Sequence, residues 1–126
     1  KQYKCSVVAI EEIQMSETNK YGIIAGNKIG KCNNLYQVKN MVEKPEEKDA
    51  PSNLAIIGRY ILTPDIFDIL KNLKPDKSGE IQITDALNIQ AKQEKVIAYK
   101  FKGTRFDCGS IKGYLEANNY FAKNLM

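Results

Sequence analysis

Histidine is absent from this chain. Without an imidazole, neither a Ser-His nor a Cys-His nucleophile pair can be assembled, and a nitrogen–sulfur zinc site is excluded as well. Cysteine is scarce: Cys5, Cys32 and Cys108 form an odd set with no Cys-x-x-Cys spacing, which reads as reduced, buried or incidental thiols. No apolar run approaches the about 20 residues that span a bilayer, and no short apolar segment behind a basic N-terminus resembles a signal peptide. The chain therefore reads as cytoplasmic, with no membrane partner. Charge of one sign is never concentrated: 19 basic and 15 acidic residues are scattered without a run of five or six like charges. The net charge of +4 weakly favours an anionic ligand. Aromatics do not interleave with a basic stripe, and RNP-like and zinc-finger patterns are missing, so nucleic acid is not expected. Repeats and low-complexity tracts are also missing. Any chemistry must run on Asp, Glu, Lys and the backbone.

What is present fits one globular unit. The chain has 126 residues, 43% hydrophobic and 27% charged, which is the size and composition of a single domain. It opens on Lys1 rather than Met and enters a strand pattern almost at once, which is compatible with an artificial start.

Residues 5–13 are short, β-branched and apolar, and read as a largely buried strand. Residues 21–25 and 36–42 read as two strands of a hairpin around the turn-rich segment 26–34. Gly22 inside the first of these is costly unless a bulge or a close approach requires it. Residues 53–62 give the strongest strand signal, expected to be central because it is apolar for most of its length. Thr63 and Pro64 then read as N-cap and first residue of a helix whose buried stripe is Ile66, Phe67, Ile69, Leu70 and Leu73. A second helix is expected over residues 81–93 with Ile83, Ala86, Leu87 and Ala91 on one face. A short strand over 96–101 and a last helix capped by Ser110 complete an α/β layout with a mixed sheet and about three helices.

Chemistry concentrates first at Met41-Val42-Glu43-Lys44-Pro45, where a strand pattern delivers an acid and a base and a proline stops the ladder. A carboxylate accepts hydrogen bonds from sugar hydroxyls, and an ammonium meets a phosphate as a point charge. A charged pair ahead of a proline is also ordinary loop sequence. Alternation along a regular strand would send Glu43 and Lys44 to opposite faces. Confinement of the residue before proline to extended angles, with a twist at the strand end, offers a way to aim both at one ligand. Asp107, in a turn with Gly109 ahead of a helix, can accept amide bonds or hold a magnesium ion, or act only as a structural turn. Glu80 and Asp85 are accounted for by the dipole of the second helix. Arg59, inside an apolar strand, either pairs with a carboxylate or reaches a phosphate.

Taken in order, Tyr21-Gly22-Ile23-Ile24, Val42-Glu43-Lys44-Pro45, the run Ser52 to Tyr60, the run Gly79 to Ala86, and Asp107-Cys108-Gly109 resemble the C-terminal half of the bacterial UTP–glucose-1-phosphate uridylyltransferases. The resemblance covers nearly the whole chain. It implies the C-terminal part of a Rossmann-like nucleotidyltransferase fold, with residues 1–126 as a single partial domain on the sugar-phosphate side of the site. It further implies a reaction making UDP-glucose and pyrophosphate from UTP and glucose 1-phosphate with magnesium. Lys44 would be the catalytic lysine on the sugar phosphate and Glu43 the acceptor of sugar hydroxyls. Gly22 would allow close backbone approach to the sugar, and Asp107 would stand near the metal.

That family's Gly-rich nucleotide loop has no counterpart here, since the nearest fragment, Gly103-Thr104-Arg105, falls late in the chain. The isolated chain is accordingly expected to be inactive, with unpaired strand edges and an uncovered apolar face that a missing N-terminal half or a second copy would cover, giving a homo-oligomer. A related thymidylyl- or adenylyltransferase fragment, or a non-enzymatic sugar-phosphate-binding or assembly module, are the competing readings.

Overall fold

The computed structural model of the chain describes residues 3–125. Five strands, β1 (Ser6–Glu12), β2 (Gly22–Lys28), β3 (Leu35–Glu43), β4 (Leu54–Ile61) and β5 (Val96–Lys100), curl into a closed ring in the order β1-β4-β2-β3-β5. The sheet is mixed, as expected. β1 runs parallel to β5, with Ser6 opposite Val96, and antiparallel to β4. β2 and β3 form the hairpin, with Gly22 directly opposite Glu43. The ring closes through β3 with β5 and through a single narrow pairing, Ile23 with Ala55, between β2 and β4.

This closure narrows the open strand edges expected. β4 pairs along its length with β1 but meets β2 only at Ala55. Alternation along the strands then fills the interior: Val8, Ile10, Ile24, Val38 and Val96 are all fully buried. Each such side chain contributes about 1.5–3 kcal/mol by leaving water.

Three helices complete the α/β architecture: α1 (Ile66–Asn72), α2 (Ile83–Lys92) and α3 (Ile111–Leu125). α2 buries the face read from its periodicity, Ala86, Leu87 and Ala91, and an Asn88 side-chain oxygen accepts from the Met41 amide at 3.2 Å, tying the helix to β3. α1 begins later than expected. Its N-cap is Asp65, and Phe67 is 66% exposed rather than part of the buried stripe. Thr63 does not cap, because its hydroxyl is taken by Gln90 Nε2 at 3.0 Å and lies 3.2 Å from Ser6 Oγ. Ser6 Oγ also donates to Gln90 Oε1 at 2.7 Å, so β1, the end of β4 and α2 share one satisfied polar junction. Ser110 caps α3 as expected, accepting from the Gly113 amide at 3.1 Å.

α3 is only lightly docked. Gly113 and Ala117 are its buried residues, whereas Ile111, Tyr114, Leu115, Phe121 and Leu125 are between 50% and 82% exposed. Exposed apolar side chains are thus concentrated on the last helix, with Ile61 at the end of β4 also 70% exposed.

Candidate functional site

β3 ends on Glu43, and the next residue turns out of the ladder. Lys44 adopts φ +46°, in the left-handed region and not the extended angles expected ahead of a proline. Two bonds hold this turn: the Lys44 amide donates to Tyr21 O at 3.0 Å, and Thr18 Oγ1 donates to Pro45 O at 3.2 Å. The left-handed residue ends the two-residue alternation that would otherwise govern positions 43 and 44.

Glu43 and Gly22 line a cavity of about 290 Å3, together with Lys20, Tyr21, Ile56, Gly58, Tyr60, Gln82, Ile83 and Thr84. Gly22 is buried, and a Cβ there would stand 3.2 Å from Glu43 Oε2 and 3.3 Å from Ile56 Cδ1. The close approach that the glycine permits in this structure is therefore to the Glu43 carboxylate. Thr84 Oγ1 donates to the same Glu43 Oε2 at 2.7 Å. Burial first, and the Glu43 charge second, push the Tyr60 hydroxyl above its ordinary value, so it stays a neutral donor in the cavity wall at pH 7.

Lys44 is exposed and does not line this cavity, so the acid and the base do not share one enclosed pocket. Among the described residues its ammonium has no carboxylate within ion-pair distance.

Asp107 opens onto a second, larger cavity of about 540 Å3 with Glu17, Lys20, Tyr21, Arg105, Phe106, Ser110, Lys112, Gly113 and Glu116. Lys20 and Tyr21 border both cavities. Asp107 Oδ1 accepts from the Gly109 amide at 3.0 Å, the structural turn envisaged from the sequence, and its other oxygen has no partner among the described residues. No group of three or more acidic or thiol side chains that could hold a metal occurs among the described residues. One free carboxylate oxygen suits magnesium, which takes one or two carboxylates and completes its shell with phosphate oxygens and water.

Arg59 does not make the carboxylate pair that was one of its two readings. It is exposed, finds no carboxylate among the described residues, and reaches only its neighbour's Gly58 carbonyl at 3.5 Å. The arginine that is engaged is Arg105: Nε donates to Glu11 at 2.7 Å, a second nitrogen donates to the Tyr21 hydroxyl at 3.0 Å, and the guanidinium lies 5.3 Å from the Tyr21 ring centre. Thr84, Tyr60, Lys20 and Arg105 were not singled out by the sequence. Thr84 lay inside the Gly79 to Ala86 run, but its partner is 41 positions away, and only the docking of α2 on β3 reveals it.

Residues 1–124 match the nucleotidyl transferase family. The chain belongs to that family. It is 60% identical over 124 residues to a UTP–glucose-1-phosphate uridylyltransferase of Pseudomonas aeruginosa, covering 98% of this chain and 44% of that protein. A Mycoplasma genitalium enzyme of the same description is 44% identical over 120 residues, covering 95% of this chain and 41% of that protein. Among solved structures, a UDP-glucose pyrophosphorylase complexed with UDP-glucose superposes with a TM-score of 0.89 at 58% identity, over 98% of this chain and 46% of that one. The chain spans under half the length of the curated relatives it matches. The resemblance read from five ordered segments and the nucleotidyltransferase fold it implied are both borne out.

Proposed function

We propose that these residues form the sugar-phosphate side of a site that transfers a uridylyl group from UTP to glucose 1-phosphate, giving UDP-glucose and pyrophosphate. The observation that carries this reading is the Glu43 carboxylate, seated between Thr84 and the space left by Gly22 in a cavity at the end of β3. Its support beyond this chain is 60% identity to an enzyme described by that reaction.

In the proposed reaction Glu43 accepts hydroxyls of the hexose, and Lys44, one residue further on, meets the phosphate. The phosphate oxygen of glucose 1-phosphate attacks the α-phosphorus of UTP; the new P–O bond forms as the bond to the β-phosphate bridging oxygen breaks, and that oxygen leaves with pyrophosphate. A phosphate monoester has its second pKa at about 6, so the attacking oxygen is already anionic at neutral pH. A chain without histidine therefore lacks nothing in proton transfer. What remains is to hold two polyanions in line and to offset their charge. Bound magnesium would neutralise phosphate charge as pyrophosphate leaves, with Asp107 as the ligand this chain offers.

The nucleotide side of the site belongs in this proposal to the remainder of the family's length, and a surface covering the exposed apolar positions of α3 to that remainder or to a second copy. Titration calorimetry with glucose 1-phosphate tests the reading. Saturable binding that Lys44→Ala weakens by at least about tenfold is expected, the scale of a lost charge-assisted contact. A folded protein that shows no heat of binding, or a Lys44→Ala variant that binds as well as the parent, contradicts it.

A further inference from the structure

The carboxylate that faces the cavity is not held by its own strand. Met41 and Glu43, two residues apart, lie on one face of β3, and Thr84 and Asn88, four residues apart, lie on one face of α2. The two pairs meet: Asn88 accepts from the Met41 amide at 3.2 Å, and Thr84 Oγ1 donates to Glu43 Oε2 at 2.7 Å. The first contact fixes the helix on the strand, and the second reads that fixed position out at the cavity. Thr84 is 7% exposed and β-branched, so its hydroxyl has few alternative orientations. Among the described residues no other hydrogen bond reaches the Glu43 carboxylate. From the other side, a Cβ at Gly22 would crowd Glu43 Oε2 and Ile56 Cδ1, at 3.2 and 3.3 Å.

We infer that Thr84 is a positioning residue for Glu43: its hydroxyl occupies Oε2 and turns Oε1 toward the ligand, so that a single oriented acceptor selects the sugar hydroxyl. Glu43 is itself solvent-exposed, and an unbonded glutamate there would have three rotatable bonds to order on binding; with its carboxylate already bonded it has less freedom to lose. Thr84 itself touches no ligand in this scheme and acts only through Glu43. The inference rests on the sugar-phosphate reading of the cavity, and its test separates the two.

The experiment measures dissociation constants for glucose 1-phosphate with the parent protein, Thr84→Val, Thr84→Ser, Glu43→Ala and the double variant Thr84→Val/Glu43→Ala, with thermal melting of each. Valine keeps the shape of threonine and removes the donor. Binding weakened roughly five- to tenfold in Thr84→Val, the scale of one net hydrogen bond, and restored to within about twofold in Thr84→Ser, is the expected result. Because Thr84 acts through Glu43, the valine substitution should add no further loss in the Glu43→Ala background. Unchanged binding in Thr84→Val, a serine variant as weak as the valine one, or an equal loss with and without Glu43 overturns the inference. If the valine variant fails to melt cooperatively, Thr84→Ala takes its place against Thr84→Ser, with the same outcomes deciding. A parent protein that binds no glucose 1-phosphate overturns the function proposed for the cavity instead.

Discussion

Lys44 shows how one residue can be chosen against its own backbone. A lysine at φ +46° carries a penalty of about 1–2 kcal/mol for crowding between Cβ and the carbonyl oxygen, and a glycine there would not. The account therefore predicts opposite effects for Lys44→Gly: a melting temperature at or above that of the parent, and glucose 1-phosphate binding lost to the same extent as in Lys44→Ala. Differential scanning calorimetry with a parallel titration checks both. A destabilised glycine variant would show that the side chain has a structural partner, contrary to its exposed, unpaired position. At this scale the sequence was partly legible. The type and order of Glu43, Lys44 and Pro45 could be read from it, as could a reason for Gly22 to be small. That Lys44 would leave the extended region, and that Gly22 would make room for a carboxylate, could not be read, because both depend on Tyr21, Thr18 and Ile56 arriving from elsewhere.

Among the elements, the loop between α1 and α2 is organised by a single side chain. Asp76 accepts from the Ser78 amide at 2.8 Å, the Ser78 hydroxyl at 2.5 Å, the Glu80 amide at 3.1 Å and Gln82 Nε2 at 3.0 Å. The Ser78 hydroxyl first, then Gln82 and the Glu80 amide, hold its carboxyl well below the usual carboxylate range. A folded value depressed below the unfolded one, about 3.9, means the contribution is present in full above that pH and is lost only as pH falls through the lower folded value. The amide resonance of Ser78, which bonds Asp76 directly, should therefore hold its position from pH 7 down to about 4 and move only in stronger acid. Movement centred near 4 would show that the loop bonds are not formed in solution. Strand and helix patterns were legible here because side-chain periodicity carries them: β1 to β5, α2 and the Ser110 cap all fall close to where the sequence puts them. The start of α1 was not, because Thr63 satisfies Gln90, 27 positions away, in preference to its own helix.

For the molecule as a whole, ring closure and the bare face of α3 pull the account in different directions. The ring narrows the strand edges that an isolated piece of sheet would offer, while Phe106, Tyr120 and Phe121 cluster with centroids 5.2–6.3 Å apart beside a helix whose apolar side faces water. Exposed apolar patches of this kind mark surfaces that another polypeptide covers. Light scattering of the 126-residue chain should accordingly report self-association that Phe121→Glu reduces; a monodisperse monomer at high concentration would count against it. The alternation of strands and helices made the α/β class readable, whereas the order in which strands join around a ring is set by long-range pairing that no local pattern records.

The central claim is that the cavity at the end of β3 receives a hexose through Glu43, with Lys44, outside the cavity and one residue further on, meeting the phosphate. Amide chemical-shift mapping during titration with glucose 1-phosphate tests it most directly. Saturable shifts clustered at Gly22, Glu43, Lys44, Tyr60 and Thr84 are the predicted result; shifts confined to other surfaces, or none in a folded sample, would contradict it.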